Sequence, residues 1–288
     1  MNSALETMLK KYNPQNNLER ENAIKEIIQE IALAGLYRGG FFQKAAFYGG
    51  TCLRIFYGLN RFSEDLDFAL VEKDPDFKLD EYFPLLKKEF ESYGIEMSIE
   101  SKKKENKDIQ SAFLKGNTLM LMMSFFPKSE ESKQFVSNQK IKIKFEIDTD
   151  NPPGGVTEAR FLLLPAPCEV QVFDEATLFA GKIHAILCRD YKKNVKGRDY
   201  FDYLFYISKG GSFNLKYLEN KLKNSNKGIA QNEILSLEKV KELLKERFES
   251  VDYESAKKDA SNFVNNKEGL ELWSKELFLS TLSQLKAQ

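Results

Sequence analysis

The chain has 288 residues, with 43 basic and 43 acidic side chains, 42% hydrophobic residues and 23 Phe. That length and apolar content exclude a disordered chain and fit one large domain or two modest ones with a buried core. The zero net charge excludes a whole-protein field that gathers nucleic acid. With His184 as the only histidine and Cys52, Cys168 and Cys188 lacking metal-type spacing, zinc and every mechanism that needs a His base are excluded too.

The first eleven residues are polar and carry no apolar signal core, so a cytoplasmic protein with reduced thiols is expected. Asn17 to Tyr37 reads as an amphipathic helix, with Ile24, Ile27, Ile28, Ile31 and Leu36 at helical spacing and Gly39-Gly40 ending it. Ala45 to Tyr48 reads as a short strand leading into Gly49-Gly50-Thr51, with Thr51 as the cap of a helix begun by Cys52-Leu53-Arg54. Asp65 to Leu70 reads as a second strand. Asp80 to Tyr93 follows as a helix with Tyr82, Leu85, Leu86 and Phe90 inward and Gly94 as its C-cap.

Three further strands are expected at Met97 to Glu100, Thr118 to Phe126 and Lys140 to Asp148. They are separated by solvated loops over Lys102 to Lys107 and Lys128 to Asn138. Leu119 to Phe126, the longest uncharged apolar stretch, is too short to cross a bilayer, so no membrane is expected. Asn151-Pro152-Pro153-Gly154-Gly155 is a break, and from Asp174 the pattern is helical almost to the end. The expected architecture is α+β: an N-terminal α/β domain over residues 1–165, a mixed sheet with flanking helices, followed by a helical C-terminal domain over residues 166–288.

The chemistry-bearing pattern is Asp65-Leu66-Asp67 behind the glycine turn. Side chains alternate along a strand, so both carboxylates share a face while Leu66, Phe68 and Leu70 enter a core. Two like charges about 7 Å apart gain nothing from burial and make sense around a divalent cation, Mg²⁺ or Mn²⁺ where phosphate is also present. Gly49 and Gly50 let a backbone approach an anion at a helix N-terminus. Lys140 to Asp148 alternates strictly, placing Lys142, Lys144, Glu146 and Asp148 on one face. Alone, that face reads as solvated; beside a D-x-D it offers a third carboxylate.

This arrangement resembles the DNA polymerase β-like nucleotidyltransferase superfamily. More narrowly, Gly49-Gly50-Thr51-x-Leu53-Arg54, Tyr57-Gly58 and Arg61 to Phe68 resemble the AbiEii/AbiGii toxin family. Lys144-Phe145-Glu146 matches that family's second motif, which implies Glu146 as third metal ligand, with Asp148 as the alternative. Gln171, Leu178, Lys182, Ala185 to Leu187, Arg189, Arg198-Asp199 and Asp202 match its third motif, and Asp259 its fourth.

The resemblance implies a toxin half of a toxin–antitoxin or phage-defence pair that transfers NMP from an NTP to an acceptor hydroxyl, with a tRNA 3′ end as the acceptor the family suggests. Asp65, Asp67, Glu146 and Lys182 would be catalytic. Gly49, Gly50, Thr51, Arg61, Ser63, Lys144, Arg189, Arg198, Asp199 and Asp202 would lie around the nucleotide. An RNA acceptor and an antitoxin, with a winged-helix protein as its expected form, would be its partners. A nucleotide-binding regulator, or a toxin that sequesters GTP or a partner without turnover, is the alternative. For Arg61 an ion pair with Glu64 stands beside the phosphate role, and for Lys192, Lys193 and Lys196 a solvated turn does. Lys182, in an apolar stretch, must meet a phosphate, Asp199 or Asp202.

Overall fold

The computed structural model describes residues 3–102, 109–126, 140–190, 195–264 and 266–288. The two lysine-bearing loops expected to be solvated therefore fall almost entirely outside the described residues, as do Lys192 and Lys193. The chain forms two compact units: residues 1–52, 64–151 and 158–172 in the first, and residues 53–63, 152–157 and 173–288 in the second.

The first unit opens with α1 (Ser3–Tyr12) and α2 (Asn17–Arg38), whose first turn is capped by Asn16 accepting from the Glu19 N–H. Strand β1 (Ala45–Tyr48) runs into α3 (Gly49–Tyr57), and β2 (Leu66–Leu70) follows. Next come α4 (Phe83–Ser92), β3 (Ser98–Lys102), β4 (Ile109–Asn117), α5 (Thr118–Phe125) and β5 (Lys140–Asp148). The last two strands are β6 (Thr157–Leu162) and β7 (Cys168–Phe173). The sheet has seven strands in the order β3-β4-β5-β2-β1-β7-β6. It is mixed: β2 runs antiparallel to β1 but parallel to β5.

One layer of rings fixes the register at the centre of this sheet. Phe68 lies 5.0 Å from Phe145, 5.0 Å from Phe47 and 4.9 Å from Phe41, all fully buried. A slip of one residue between β2 and β5 would turn this apolar set to the opposite face. The packed rings therefore hold Asp67 opposite Glu146 on the other face.

Several local expectations need correction. Thr118–Phe125 is a helix, not a strand: Asn117 caps it by accepting from the Met120 N–H, and its Leu and Met residues, unbranched at Cβ, favour helix once that cap is present. Strand β4, just before it, was missed. Leu85 is 41% exposed rather than inward, because the helix begins at Phe83 after a short 3₁₀ turn and this rotates the face. Thr51 does not cap a helix. The α3 helix already starts at Gly49, so Thr51 lies inside its first turn.

In the second unit the elements are α6 (Glu175–Cys188), α7 (Gly197–Ser208), β8 (Ser212–Phe213), α8 (Leu215–Asn224) and α9 (Leu237–Ser250). They continue with α10 (Tyr253–Ala260), α11 (Glu268–Glu271), α12 (Lys275–Thr281) and β9 (Lys286–Ala287). The small parallel pair β8–β9 departs from the helical expectation, as does β7, which lies within residues 166–288 but joins the large sheet. Phe179 stacks on Tyr206 at 4.3 Å, and Tyr203, Phe248 and Phe278 form an adjacent ring cluster. No helix among the described residues is long and apolar enough to cross a membrane.

Candidate active site

Within the first unit the sheet brings Asp67 and Glu146 together as direct neighbours on the parallel β2–β5 pair, whereas Asp148 stands opposite Ala69. Asp65 lies one residue ahead of β2. Asp67 and Glu146 are both partly exposed while Phe68 and Phe145 are buried behind them, as strand alternation requires. Glu146 accepts from Ser111 Oγ at 3.0 Å across the β4 side and pairs with Lys144 Nζ at 2.5 Å along its own strand. Asp148 accepts from the Asp150 N–H at 3.0 Å, closing a turn at the end of β5.

The glycine turn meets this face directly. Gly49 has φ +82°, and a Cβ there would stand 2.5 Å from Asp67 Oδ2. Glycine is thus required at 49 both by its backbone and by the Asp67 carboxylate packed against it. The Thr51 hydroxyl, on a residue only 1% exposed, donates to the Asp65 carbonyl at 2.5 Å. It ties the first turn of α3 to the chain entering β2, a role its place in the glycine motif does not reveal.

These residues suit a hard divalent cation by chemistry: all donors are carboxylate oxygens, partly solvated and adjacent on one face. Among the described residues no group of three or more His, Cys, Asp or Glu side chains is placed to hold a metal ion.

The second unit holds a separate charged network. Arg61, 4% exposed, reaches Asp202 through two bonds, Nε to Oδ1 at 2.6 Å and a terminal nitrogen to Oδ2 at 2.7 Å. Lys182 Nζ lies 2.8 Å from Asp202 Oδ2 and 3.0 Å from Asp199 Oδ1. Arg189 completes it at Asp199 Oδ2, 2.5 Å away. Asp199 and Asp202 are three apart on α7 and so share a face. Burial opposes ionisation of Asp202, yet Arg61 and Lys182 together hold its carboxyl below the usual range. The fork of Arg61 matches the Asp202 carboxylate, and Glu64 pairs with Lys25.

Other residues singled out in the sequence have the following surroundings. Arg198 lies 4.0 Å over the Phe263 ring with Nε 3.8 Å from Asp259, whose carboxylate also accepts the Arg198 N–H. Ser63 is buried. His184 meets Ser225 Oγ at 3.0 Å, and burial with the nearby Lys221 and Lys227 pushes its pKa down to about 4. The three cysteines are free thiols.

The chain is of the nucleotidyltransferase class, as its match to a family model shows. Residues 31–276 match the family model described as nucleotidyl transferase AbiEii toxin of type IV toxin–antitoxin systems, and the chain belongs to that family. No curated protein matches the sequence. Among solved structures, MenT4, a nucleotidyltransferase toxin from Mycobacterium tuberculosis H37Rv, has a similar fold, with TM-score 0.51 and 14% identity over 96% of this chain and 98% of that one. JHP933 from Helicobacter pylori is similar at TM-score 0.47 and 17% identity, over 93% and 90% of the two chains.

Proposed function

We propose that this toxin nucleotidyltransferase works with Mg²⁺ or Mn²⁺ at Asp65, Asp67 and Glu146 and transfers NMP from an NTP to an RNA 3′ hydroxyl, a tRNA end being the expected acceptor. The observation that carries this reading is the Asp67–Glu146 pairing across β2 and β5 beside the glycine turn. Two carboxylates held as neighbours repel, and a divalent cation shared between them would relieve that repulsion. A divalent cation there supplies charge neutralisation on the triphosphate and acidifies the attacking hydroxyl.

The chain's own contribution is placement. The N-terminal turn of α3 offers the backbone N–H groups of Gly50 and Thr51 to phosphate oxygens, with the Thr51 hydroxyl committed to Asp65. Lys144, paired with Glu146, would lie beside any phosphate held by a metal at that carboxylate. Within the second unit, Lys182 Nζ is held by Asp199 and Asp202, the anionic partners its apolar surroundings require. An antitoxin partner follows from the family, and a winged-helix protein is the form we propose.

The test is incubation of the purified chain with each α-labelled NTP, total RNA and Mg²⁺. Label entering a tRNA-sized band, lost on chelation, is the expected result. Label entering no RNA with any NTP contradicts the RNA-acceptor reading.

A further inference from the structure

Strand alternation gives the sheet two unlike faces at β3, β4 and β5. On one of them Ile141, Ile143, Phe145 and Ile147 of β5 and Ala112 and Leu114 of β4 are buried. A Cβ at Gly116, in the same alternation, would stand 2.7 Å from Leu121 of α5, so this face carries the helix.

The other face is the one that holds Asp67 and Glu146, and the registers define it row by row. Ser111 of β4 and Lys102 of β3 continue the row of Glu146. The next row is Glu100, Phe113 and Lys144, and the one after it Ser98, Lys115 and Lys142; Lys140 begins β5 opposite Asn117. Lys140 and Lys142 are exposed, while Phe113, Lys115 and Lys144 are half-buried.

Two features of this face cost stability. Lys115 and Lys142 stand directly opposite each other, and like charges so placed destabilise an antiparallel pair. Phe113 puts an aromatic ring, half open to water, between Glu100 and Lys144, with Lys115 Nζ 5.8 Å from its centre. Lys115, joined by Lys140 and Lys142, holds the Glu100 carboxyl below its usual range, so three ammonium groups bear on one position.

Both features become favourable with one kind of occupant. Lysines bind a phosphate backbone by releasing its counterions, and unpaired bases stack on aromatic rings presented by a sheet. Duplex RNA hides its base faces and would leave Phe113 unused. From Lys140 to Glu146 β5 rises about 20 Å, room for a short single-stranded segment ending at the carboxylates.

We propose that the open face of β3–β5 seats the single-stranded 3′ segment of the acceptor RNA. Phe113 stacks a base next to the carboxylates, and Lys115, Lys140 and Lys142 hold the phosphates behind it. This deepens, and rests on, the RNA-acceptor reading of the same site.

The experiment is fluorescence anisotropy of a labelled single-stranded RNA with a free 3′ hydroxyl. It is titrated with the full-length chain across a salt series, with Mg²⁺ held constant and no NTP, and circular dichroism checks the folding of every variant. Lys142→Ala is expected to weaken binding and to reduce the slope of log affinity against log salt by about 0.7, one single-strand phosphate contact. Phe113→Leu keeps apolar bulk without the ring and is expected to weaken binding about fivefold or more with an unchanged slope. Phe113→Tyr should bind as the wild type does. Wild-type affinity in folded Lys142→Ala or Phe113→Leu, or equal weakening in Phe113→Tyr, overturns the proposal and leaves the RNA acceptor to another surface. Equal affinity for the duplex of the same sequence overturns it too, as does a matching loss of NTP affinity in Lys142→Ala, which would make the face a triphosphate site. A wild-type chain that binds no single-stranded RNA at low salt overturns the RNA-acceptor reading itself, and this surface with it.

Discussion

Asp67 and Glu146 stand directly opposite each other on the parallel strands β2 and β5, with the Phe68–Phe145 ring contact locking that register from behind. Asp148, one step further along the same face, is opposite Ala69 and accepts from the Asp150 N–H. Glu146→Ala should therefore lower transfer by at least about a hundredfold, and Asp148→Ala by less than about threefold, in side-by-side kinetic assays. The reverse order would move the third ligand two residues along β5.

Gly49→Ala should damage activity far more than stability. The left-handed backbone at 49 costs an alanine about 1–2 kcal/mol. The added methyl, however, lands 2.5 Å from Asp67 Oδ2 and must push that carboxylate aside. Urea unfolding and transfer kinetics on one preparation separate the two effects. Near-normal kcat would show that Asp67 is not constrained by the glycine turn.

Arg61 and Asp202 are both almost wholly buried and joined by two hydrogen bonds. Asp202→Ala leaves the Arg61 guanidinium buried without that partner and should cost about 3–5 kcal/mol by urea unfolding. Arg61→Lys should also destabilise, since an ammonium cannot make the paired fork. A stability loss below about 1 kcal/mol in Asp202→Ala would mean the network relaxes to solvent.

The D-x-D, the glycine turn and the alternation of β5 were readable because strand periodicity assigns each residue a face. The pairing of Lys182 was readable because a lysine in an apolar stretch needs an anion, and it meets both Asp199 and Asp202. Helix α5 was not, because Leu119 to Phe126 is apolar without a period and its assignment turns on the Asn117 cap. Nor could the sequence show the Arg61–Asp202 pair or the Gln29 bond to Glu64. Each joins distant chain segments, and neither residue's local pattern names its partner.

His184 should make the protein acid-sensitive before its carboxylates titrate. Its folded pKa is held down near 4, below the ordinary value of about 6.5, so the unfolded chain binds the proton more readily. Stability should fall as pH drops from about 6.5 toward 4, by up to about 3 kcal/mol, and be restored on the neutral side. His184→Gln should flatten that part of the urea-unfolding profile. An unchanged pH slope would show that His184 is solvated in the folded state.

The central claim is that the carboxylates, not nucleotide or partner capture, carry the toxicity. The most direct measurement is growth inhibition on induction of wild type, Asp65→Ala and Asp67→Ala, paired with labelled-NTP transfer by the same purified proteins. Removing a carboxylate relieves repulsion, so both variants should accumulate as folded protein. The account predicts that both lose transfer and growth inhibition together. A folded Asp67→Ala that still arrests growth while transferring no label would contradict it and establish sequestration instead.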